Sequence, residues 1–391
     1  MTGTPDGIFG TISHEIHRKR RAAVSPFFSK ANVTSEEPRI FESVRLLCDS
    51  LEKQIVTQGW AEMRQNYLAL TTDILSDHAF GRSLKLLHEE QNAHDWKRTI
   101  KAIAILTPLV KQFTWIIPLA LRLPLRPLQF VVPDLARIVA LRRDMDRQAE
   151  VAIRSHSESS ISVSEKSTIA RPGINIFSSL LSSKTLPSRE KGRSRIAQEA
   201  FVVLVAGGET TARILTAVTY HMLAKRDTVL RKVKRELDDA IFDPDVRVPV
   251  QELERLPWLT AVIKESLRIT GLVTSRLPLV SPKDPLQYED WTIPPGTPIS
   301  MTLPDILHDP KVFSDPLEFH PERWFPSNPD YEKVNNGYIP FGRGSRMCVG
   351  INLALAEIYL SIAYIFRRFD LELYETTRER DIDHVRDCFI A

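Results

Sequence analysis

The chain has 391 residues, of which 43% are hydrophobic, 26% charged and 8% aromatic, as in folded globular proteins. This composition excludes a disordered chain, a collagen-like repeat and a protein with many membrane spans. The formal net charge is only +3, without a long basic tail, so a nucleic acid is not expected as a partner. Glycine is scarce and no GxGxxG motif follows a strand, which disfavours a dinucleotide-binding fold.

Three cysteines are too few for a disulfide framework and fit a reducing compartment. The N-terminus has neither a signal-peptide core nor an apolar run of 18 residues, so no transmembrane anchor is expected in this chain.

The first 240 residues are predicted to form helices separated by breaks rich in proline and serine. In 67–80, helical spacing places four residues on one side, Leu68, Thr71, Leu75 and Phe80. The segment 103–132 is very apolar, but four prolines prevent one continuous helix: Pro108, Pro118, Pro124 and Pro127. Two interpretations remain open: a packed pair of short helices, or a lid over an apolar channel or a surface that touches lipid.

We predict one domain over 1–391, with a Ser-rich surface loop at about 155–172. A long apolar helix is expected over 197–225, followed by a charged helix over 231–239. Strand signals occur only between Val280 and Ile299, around a turn. The last helix, 351–369, is predicted to be buried along one face. The fold class is therefore mainly α with a minor β part.

The residues that point to chemistry precede that last helix, in FGRGSRMCVG at 341–350. Cys348 would lie at a helix N-terminus, where unpaired amides and the helix dipole favour a thiolate. The glycines at 342, 344 and 350 allow close approach of a flat ligand. A lone thiolate without a nearby CxxC motif is a poor zinc site, whereas haem iron accepts a single axial cysteine. Cys48 and Cys388 are expected to be structural thiols.

This loop resembles the haem-ligand loop of the haem-thiolate monooxygenases, the cytochrome P-450 family. Four further family motifs precede this loop in the chain, in the order typical of the family: HEIHRKRR at 14–21, AGGETT at 206–211, ESLR at 265–268 and PERW at 321–324. The chain is most similar to fungal members of secondary metabolism, of the trichodiene oxygenase type, from about residue 10 to its end. The resemblance implies the P-450 fold, a large helical domain with a long central helix over the haem.

The resemblance also implies haem b as the cofactor, with Cys348 as the axial iron ligand. Thr210 and Glu209 are the expected pair for oxygen activation. The other expected haem contacts are His17, Arg21, Arg276 and Arg346 for the carboxylates, with Phe341 and Gly342. The expected substrate pocket comprises Phe201, Leu204, Val205, Ala206, Leu272, Val273 and Thr274.

Several motifs also have a physical interpretation of their own. Glu265 with Arg268 and Arg323 would form a buried charge network that ties its helix to the Cys348 loop. Two glycines, 207 and 208, cost about 1 kcal/mol each in a helix, which indicates that something presses on the backbone, such as an oxygen pocket. A helix break capped by Glu209 and Thr210 is the alternative.

The basic N-terminal helix also has other interpretations. His14 and His17 could form half of a metal site. The basic residues that follow them could be a nuclear localisation signal or a solvent-exposed helix face.

The expected function is insertion of one oxygen atom from O2 into a small apolar substrate, a terpenoid or polyketide. Electrons would come from NADPH-cytochrome P-450 reductase, and a monomer is expected. The full-length form would lie on the cytosolic face of the endoplasmic reticulum, with membrane contact through 103–132.

Related proteins begin with an anchor and a small sheet and continue beyond residue 391, so truncation at both ends and poor activity are expected. Two alternatives are a non-catalytic haem-binding remnant, and an oxygen-independent isomerase or dehydratase. The second is disfavoured by the retained Glu209 and Thr210.

Overall fold

The computed structural model describes residues 4–161, 175–383 and 387. Helices dominate these residues, as predicted. In chain order they are α1 His14–Val24, α2 Lys30–Gln58, α3 Met63–Phe80, α4 Glu90–Gln112, α5 Ile116–Ala120, α6 Leu125–Val131, α7 Pro133–Ile161, α8 Ile176–Ser182, α9 Arg193–Ala224, α10 Arg231–Ala240, α11 Val250–Leu253, α12 Pro257–Thr270, α13 Leu303–Leu307, α14 Tyr331–Gly337, α15 Ile351–Arg368 and α16 Arg378–Asp381. Short 3-10 turns cover Ser188–Lys191, Pro321–Trp324 and Gly344–Arg346, and a π-helical turn covers Arg226–Leu230.

The β part consists of two small antiparallel pairs. Strand β1 (Leu279–Val280) pairs with β4 (Pro298–Ile299), and β2 (Leu286–Tyr288) pairs with β3 (Trp291–Ile293). Glu289, in the turn of the second pair, has φ 50°, the left-handed conformation that tight hairpin turns require. The predicted strands around a turn are confirmed.

Helix α9 is the centre of the fold. It packs against α3, α7, α12 and α15, and α15 packs in turn against α2. Because α3 is enclosed by α2, α4 and α9, its residues 66–76 are buried on every side. Residues 356–366 of α15 are likewise all buried. The predicted burial of the last helix along one face is therefore wrong, whereas the positions of both helices in the chain are confirmed.

The Ser-rich region differs from its prediction. Helix α7 continues to Ile161, so residues 155–161 are helical rather than a loop. Residues 162–174, like Cys388, lie outside the described residues.

The proline-interrupted segment forms the end of α4 and the short helices α5 and α6. Part of it packs onto α7 in small apolar clusters separate from the main core. Many of its large side chains are nevertheless exposed: Ile105, Leu109, Phe113, Trp115, Leu119, Leu123, Phe130, Val131 and Val132. The exposure favours the lid or lipid-contact interpretation over a simple packed pair.

Among the described helices, α9 is long and apolar enough to cross a membrane by length and composition. However, 67% of its most apolar window is buried within the protein, as in the core helix of a folded domain.

The adjacent glycines of α9 are explained by the close approach of α3. A Cβ on Gly207 would lie 2.6 Å from Leu75 Cδ2, and one on Gly208 would lie 2.7 Å from Thr72 Oγ1. The Thr71 hydroxyl also donates to the Gly208 carbonyl at 2.7 Å. The element that presses on this backbone is therefore a neighbouring helix, and an oxygen pocket is not needed to explain the glycines.

We predict that Gly208→Ala lowers the free energy of unfolding by about 1–3 kcal/mol through overpacking. The cost of overpacking should exceed the gain in helix propensity, about 1 kcal/mol, that comes from replacing glycine with alanine. Thr72 cannot retreat freely, because its hydroxyl accepts a hydrogen bond from Trp96 Nε1 at 2.9 Å. Urea unfolding followed by circular dichroism measures the effect. The double variant Gly208→Ala with Thr72→Ala should lose less free energy of unfolding than the sum of the losses in the two single variants. Strict additivity would contradict the close-packing explanation.

Candidate active site

The loop before α15 holds Cys348 by backbone hydrogen bonds. The Cys348 amide donates to the Phe341 carbonyl at 2.9 Å, and the Met347 amide donates to the Gly344 carbonyl at 3.2 Å. Gly342 and Gly344 have φ of 72° and 77°, where glycine is favoured because it has no Cβ. Of the two cysteines that the structure describes, Cys48 is buried and Cys348 is exposed.

Opposing effects act on the pKa of the Cys348 thiol. Desolvation raises the pKa of the thiol, and this outweighs the lowering by the Gly350 amide and the Arg21 charge. The thiol is therefore accessible to solvent and yet closely surrounded by protein, as in the wall of a cavity. The predicted thiolate at the helix N-terminus is not favoured by the protein groups alone. A thiolate here needs a further positive charge, such as a metal ion that deprotonates its ligand.

Three of the four predicted carboxylate partners gather beside this loop. An Arg21 guanidinium nitrogen donates to the Met347 carbonyl at 2.6 Å, and Arg346 donates to the carbonyls of Thr11 and Ile12 at 2.8 and 3.0 Å. Burial, followed by the charges of Arg346, Arg21 and His14, lowers the pKa of His17 to about 4.

His17 Nδ1 is buried and has no hydrogen-bond partner among the described residues. An acceptor such as a haem carboxylate fits this position. Arg276, the fourth predicted partner, is exposed in the segment after α12.

His14 is exposed, and the structure brings no further metal ligand to it. In the described ranges, no group of three or more His, Cys, Asp or Glu side chains could hold a metal ion. The interpretation of His14 and His17 as half of a metal site therefore gains no support.

The N-terminal segment 4–12 forms a wall between the Cys348 loop and α9. On one side Arg346 binds its carbonyls, as described above. On the other side the Ile8 amide donates to Glu199 at 3.0 Å, and the Asp6 amide donates to Gln198 at 2.9 Å. Arg20 of α1 fixes the same segment by donating to the Thr11 hydroxyl at 2.7 Å. Sequence motifs did not reveal this wall, because its contacts join residues nearly 200 positions apart.

The predicted network around Glu265 is present and completely buried. Its carboxylate accepts from Arg268 at 2.8 and 3.0 Å, from Arg323 at 3.0 Å, from the His320 amide at 3.0 Å and from Trp324 Nε1 at 2.9 Å. Five donors satisfy both oxygens. The Trp324 ring packs edge-on against Tyr338, with centroids 4.7 Å apart, which connects the network to the start of the Cys348 loop.

On α9, the accessible surface lies around Ala206, which is exposed, with Val205 and Thr210 half-buried. The other two predicted pocket residues of this helix are in the core. Leu204 has no exposed surface, so it touches no cavity that could hold water, and Phe201 is buried beneath the Arg142 guanidinium at 4.0 Å. The assignment of Leu204 to the pocket is wrong, because this side chain has no accessible surface. Phe201 keeps 6% of its surface accessible, and its assignment stays a prediction.

The expected oxygen-activation pair points in two directions. The Thr210 hydroxyl donates to the Ala206 carbonyl at 2.7 Å. The Glu209 carboxylate is nearly buried and accepts from Arg64 of α3 at 2.8 Å. Arg64 carried no sequence signal, since it is a single arginine 145 residues away from its partner.

After α12, the predicted pocket residues Leu272, Val273 and Thr274 are half-buried. Leu272 packs against the main core, and the Thr274 hydroxyl donates to Asp387 at 3.0 Å.

The family model for cytochrome P450 matches residues 3–389. The chain belongs to the cytochrome P-450 family. Its curated relatives include the N-acetyltryptophan 6-hydroxylase ivoC of Emericella nidulans, 36% identical over all of this chain and 74% of that protein. The tryptophan 6-hydroxylase fscE of Fusarium equiseti is 35% identical, with the same coverage. The monooxygenase sdnE of Sordaria araneosa is 36% identical over 94% of this chain and 71% of its own length.

Solved structures agree on the fold. A cytochrome P-450 crystal structure superposes with a TM-score of 0.72 at 19% identity, covering 95% of this chain and 80% of that one. The cytochrome P-450DA haem domain gives 0.69 at 20% identity, covering 93% and 73%. The expected P-450 fold is confirmed.

Membership of the family establishes the chemistry in outline. The cofactor is haem whose iron is bound by a cysteine thiolate, and the activity is that of a monooxygenase with a substrate and a redox partner. The relatives are fungal enzymes of secondary metabolism, and fungal members are typically associated with membranes. The site fits such a group, since it combines an accessible thiol, a buried His17 nitrogen that lacks an acceptor, and open space where a Gly350 Cβ would lie.

We predict that Glu265→Gln destabilises the protein by about 3–5 kcal/mol, because two buried arginines lose their counter-charge. Chemical unfolding monitored by circular dichroism measures the change. The matched control is Glu36→Gln, which removes a partly exposed partner of Arg39 and should change stability by less than about 1 kcal/mol. Similar small effects of both substitutions would contradict the central role of the network.

Proposed function

We propose that Cys348 is the axial ligand and that His17, Arg21 and Arg346 bind the haem carboxylates. The observation that carries this proposal is the accessible Cys348 thiol in a backbone-locked loop beside those three cationic or hydrogen-bonding side chains. Phe341 and Gly342 would contact the macrocycle from the loop, and Arg276 would join the carboxylate partners from the segment after α12. When bound, haem b supplies the reductive activation of O2 and the transfer of one oxygen atom to substrate.

The substrate that we propose is small and largely apolar. Val205 and Ala206 offer short apolar side chains on the accessible face of α9, and Leu272 and Val273 would extend this wall. A terpenoid or polyketide suits such a surface. An aromatic amino acid derivative suits it as well, and the names of two relatives, a tryptophan and an N-acetyltryptophan hydroxylase, support that class.

Thr210 would deliver protons on the distal side. Its hydroxyl now donates to its own helix at Ala206, and rotation about one side-chain bond would redirect the proton into the cavity. Glu209, held by Arg64 at the edge of α3, would be the acidic member of this proton path.

The proposal also covers the redox partner and the location of the protein. Electrons would come from NADPH-cytochrome P-450 reductase, and the protein would act as a monomer on the cytosolic face of the endoplasmic reticulum. The exposed apolar side chains of 103–132 would enter the membrane interface, where Trp115 suits the boundary between water and lipid. Exposed Arg122 and Arg126 would meet anionic headgroups.

We predict that reduced holoenzyme with carbon monoxide shows the far-red Soret band of thiolate ligation, and that Cys348→Ala abolishes it. The matched control is Cys48→Ala, which removes a buried thiol whose pKa is raised to about 12 by burial and should keep the band. Loss of the band in Cys48→Ala, with Cys348 intact, would contradict the assignment.

Thr210→Ala should retain haem but release more of the consumed electrons as hydrogen peroxide, because proton delivery loses its donor. The measurement compares NADPH consumed with product and peroxide formed in the reductase-reconstituted enzyme. Thr216→Ala is the control, since Thr216 lies on the same helix and makes the same type of hydroxyl bond, to the Ala212 carbonyl at 2.8 Å. Equal coupling in both variants would exclude a catalytic role for Thr210.

A further inference from the structure

Three polar side chains from two distant segments gather around a carboxylate at the end of α4. The Thr274 and Ser275 hydroxyls both donate to Asp387 Oδ1, at 3.0 and 2.7 Å. Lys111 Nζ, in the last turn of α4, donates to the Ser275 hydroxyl at 3.0 Å. The group therefore holds one carboxylate with two hydroxyl donors and a nearby ammonium.

The geometry of this group is suited to binding a carboxylate. Ser275 is 5% exposed, so its hydroxyl is fixed by its surroundings rather than by solvent. A buried hydroxyl that accepts from a cation and donates to an anion is polarised in one direction, which strengthens the bond to the anion. The anion that occupies the site is the chain's own Asp387.

The position of the group connects it to the accessible face of α9. Helix α12 packs directly on α9, and α4 reaches α9 through α7. Lys111 links the end of α4 to the segment that leaves α12. Ala206 is exposed although it lies on the central helix. Thr274 directly follows Leu272 and Val273, which the proposed function places along the substrate.

We propose that Lys111, Thr274 and Ser275 form a subsite that binds the carboxylate of an apolar carboxylic acid substrate, in place of the Asp387 carboxylate. This inference rests on the proposed function, because it assigns the substrate class of the same site. The substrate's apolar part lies over Val205 and Ala206, and its carboxylate replaces one that already accepts from Thr274 and Ser275. Asp387 competes for the site and lowers the apparent affinity for acids.

The experiment measures the Soret shift of the ferric holoenzyme in titrations with matched acids and amides. One pair is N-acetyltryptophan and N-acetyltryptophanamide, and the other is octanoate and octanamide. In each pair the apolar part is the same, so a difference in dissociation constant reports the carboxylate alone. The wild type should bind at least one acid about tenfold more tightly than its amide, as expected for a charge-assisted contact.

Lys111→Gln should remove this preference by weakening acid binding about tenfold while leaving the amide unchanged. Lys111→Arg, which keeps the charge, should retain most of it, and Ser275→Ala should lose part of it. Asp387→Asn should strengthen acid binding by roughly threefold or more, because the competing carboxylate is gone. Lys101→Gln, an exposed lysine on the same helix, is the matched control and should change neither dissociation constant.

Two results would overturn the proposal. One is the absence of any acid preference, or of any binding, in both pairs for the wild type and Asp387→Asn. The other is an acid preference that Lys111→Gln does not alter. Failure of the proposed function is separate, since it would appear as a missing thiolate band in the carbon monoxide spectrum of the same preparation.

Discussion

The Glu265 carboxylate is the interaction on which the site depends. It is fully buried and accepts five hydrogen bonds from two stretches of chain, its own helix α12 and residues 320–324. Arg268 also donates to the carbonyls of Leu307 and Pro316 at 2.9 and 2.7 Å, and Arg323 donates to that of Ser314 at 3.1 Å. One buried charge thus organises an irregular segment that has little regular secondary structure of its own. Trp324, at the end of this segment, packs against Tyr338, which lies just before the Cys348 loop.

A charge so deeply buried is stable only when all its partners are present together. The position of the loop that carries Cys348 therefore depends on contacts that Glu265, much earlier in the chain, makes with residues 320–324. Local bonds, such as that from the Cys348 amide to Phe341, then set the orientation of the thiol. Desolvation by the surrounding protein raises the pKa of this thiol, so the positive charge that stabilises a thiolate would come from the bound cofactor.

Much of this site could be predicted from sequence because its motifs are local. The Cys348 loop, the Glu265 and Arg268 pair and the central helix each have a spacing that can be read within ten residues. It was harder to predict which face of a helix each residue occupies. Leu204 and Phe201 lie close to accessible residues in sequence but face the core. Contacts between distant segments, such as Arg64 with Glu209 or Lys111 with Ser275, left no signal, because single polar residues are ordinary on any helix. The desolvation that raises the pKa of the Cys348 thiol left no signal either, because burial cannot be read from the spacing of a motif.

The tight contact between α3 and α9 has a consequence for how this sequence can change. Gly207 faces Leu75 and Gly208 faces Thr72 with no room for a methyl group, so a change at one position restricts what the opposite position tolerates. Across descendants of this sequence, positions 72, 75, 207 and 208 are expected to covary as two pairs. Libraries that seek new substrates by altering α9 near Ala206 will therefore retain more folded members if they diversify α3 at the same time.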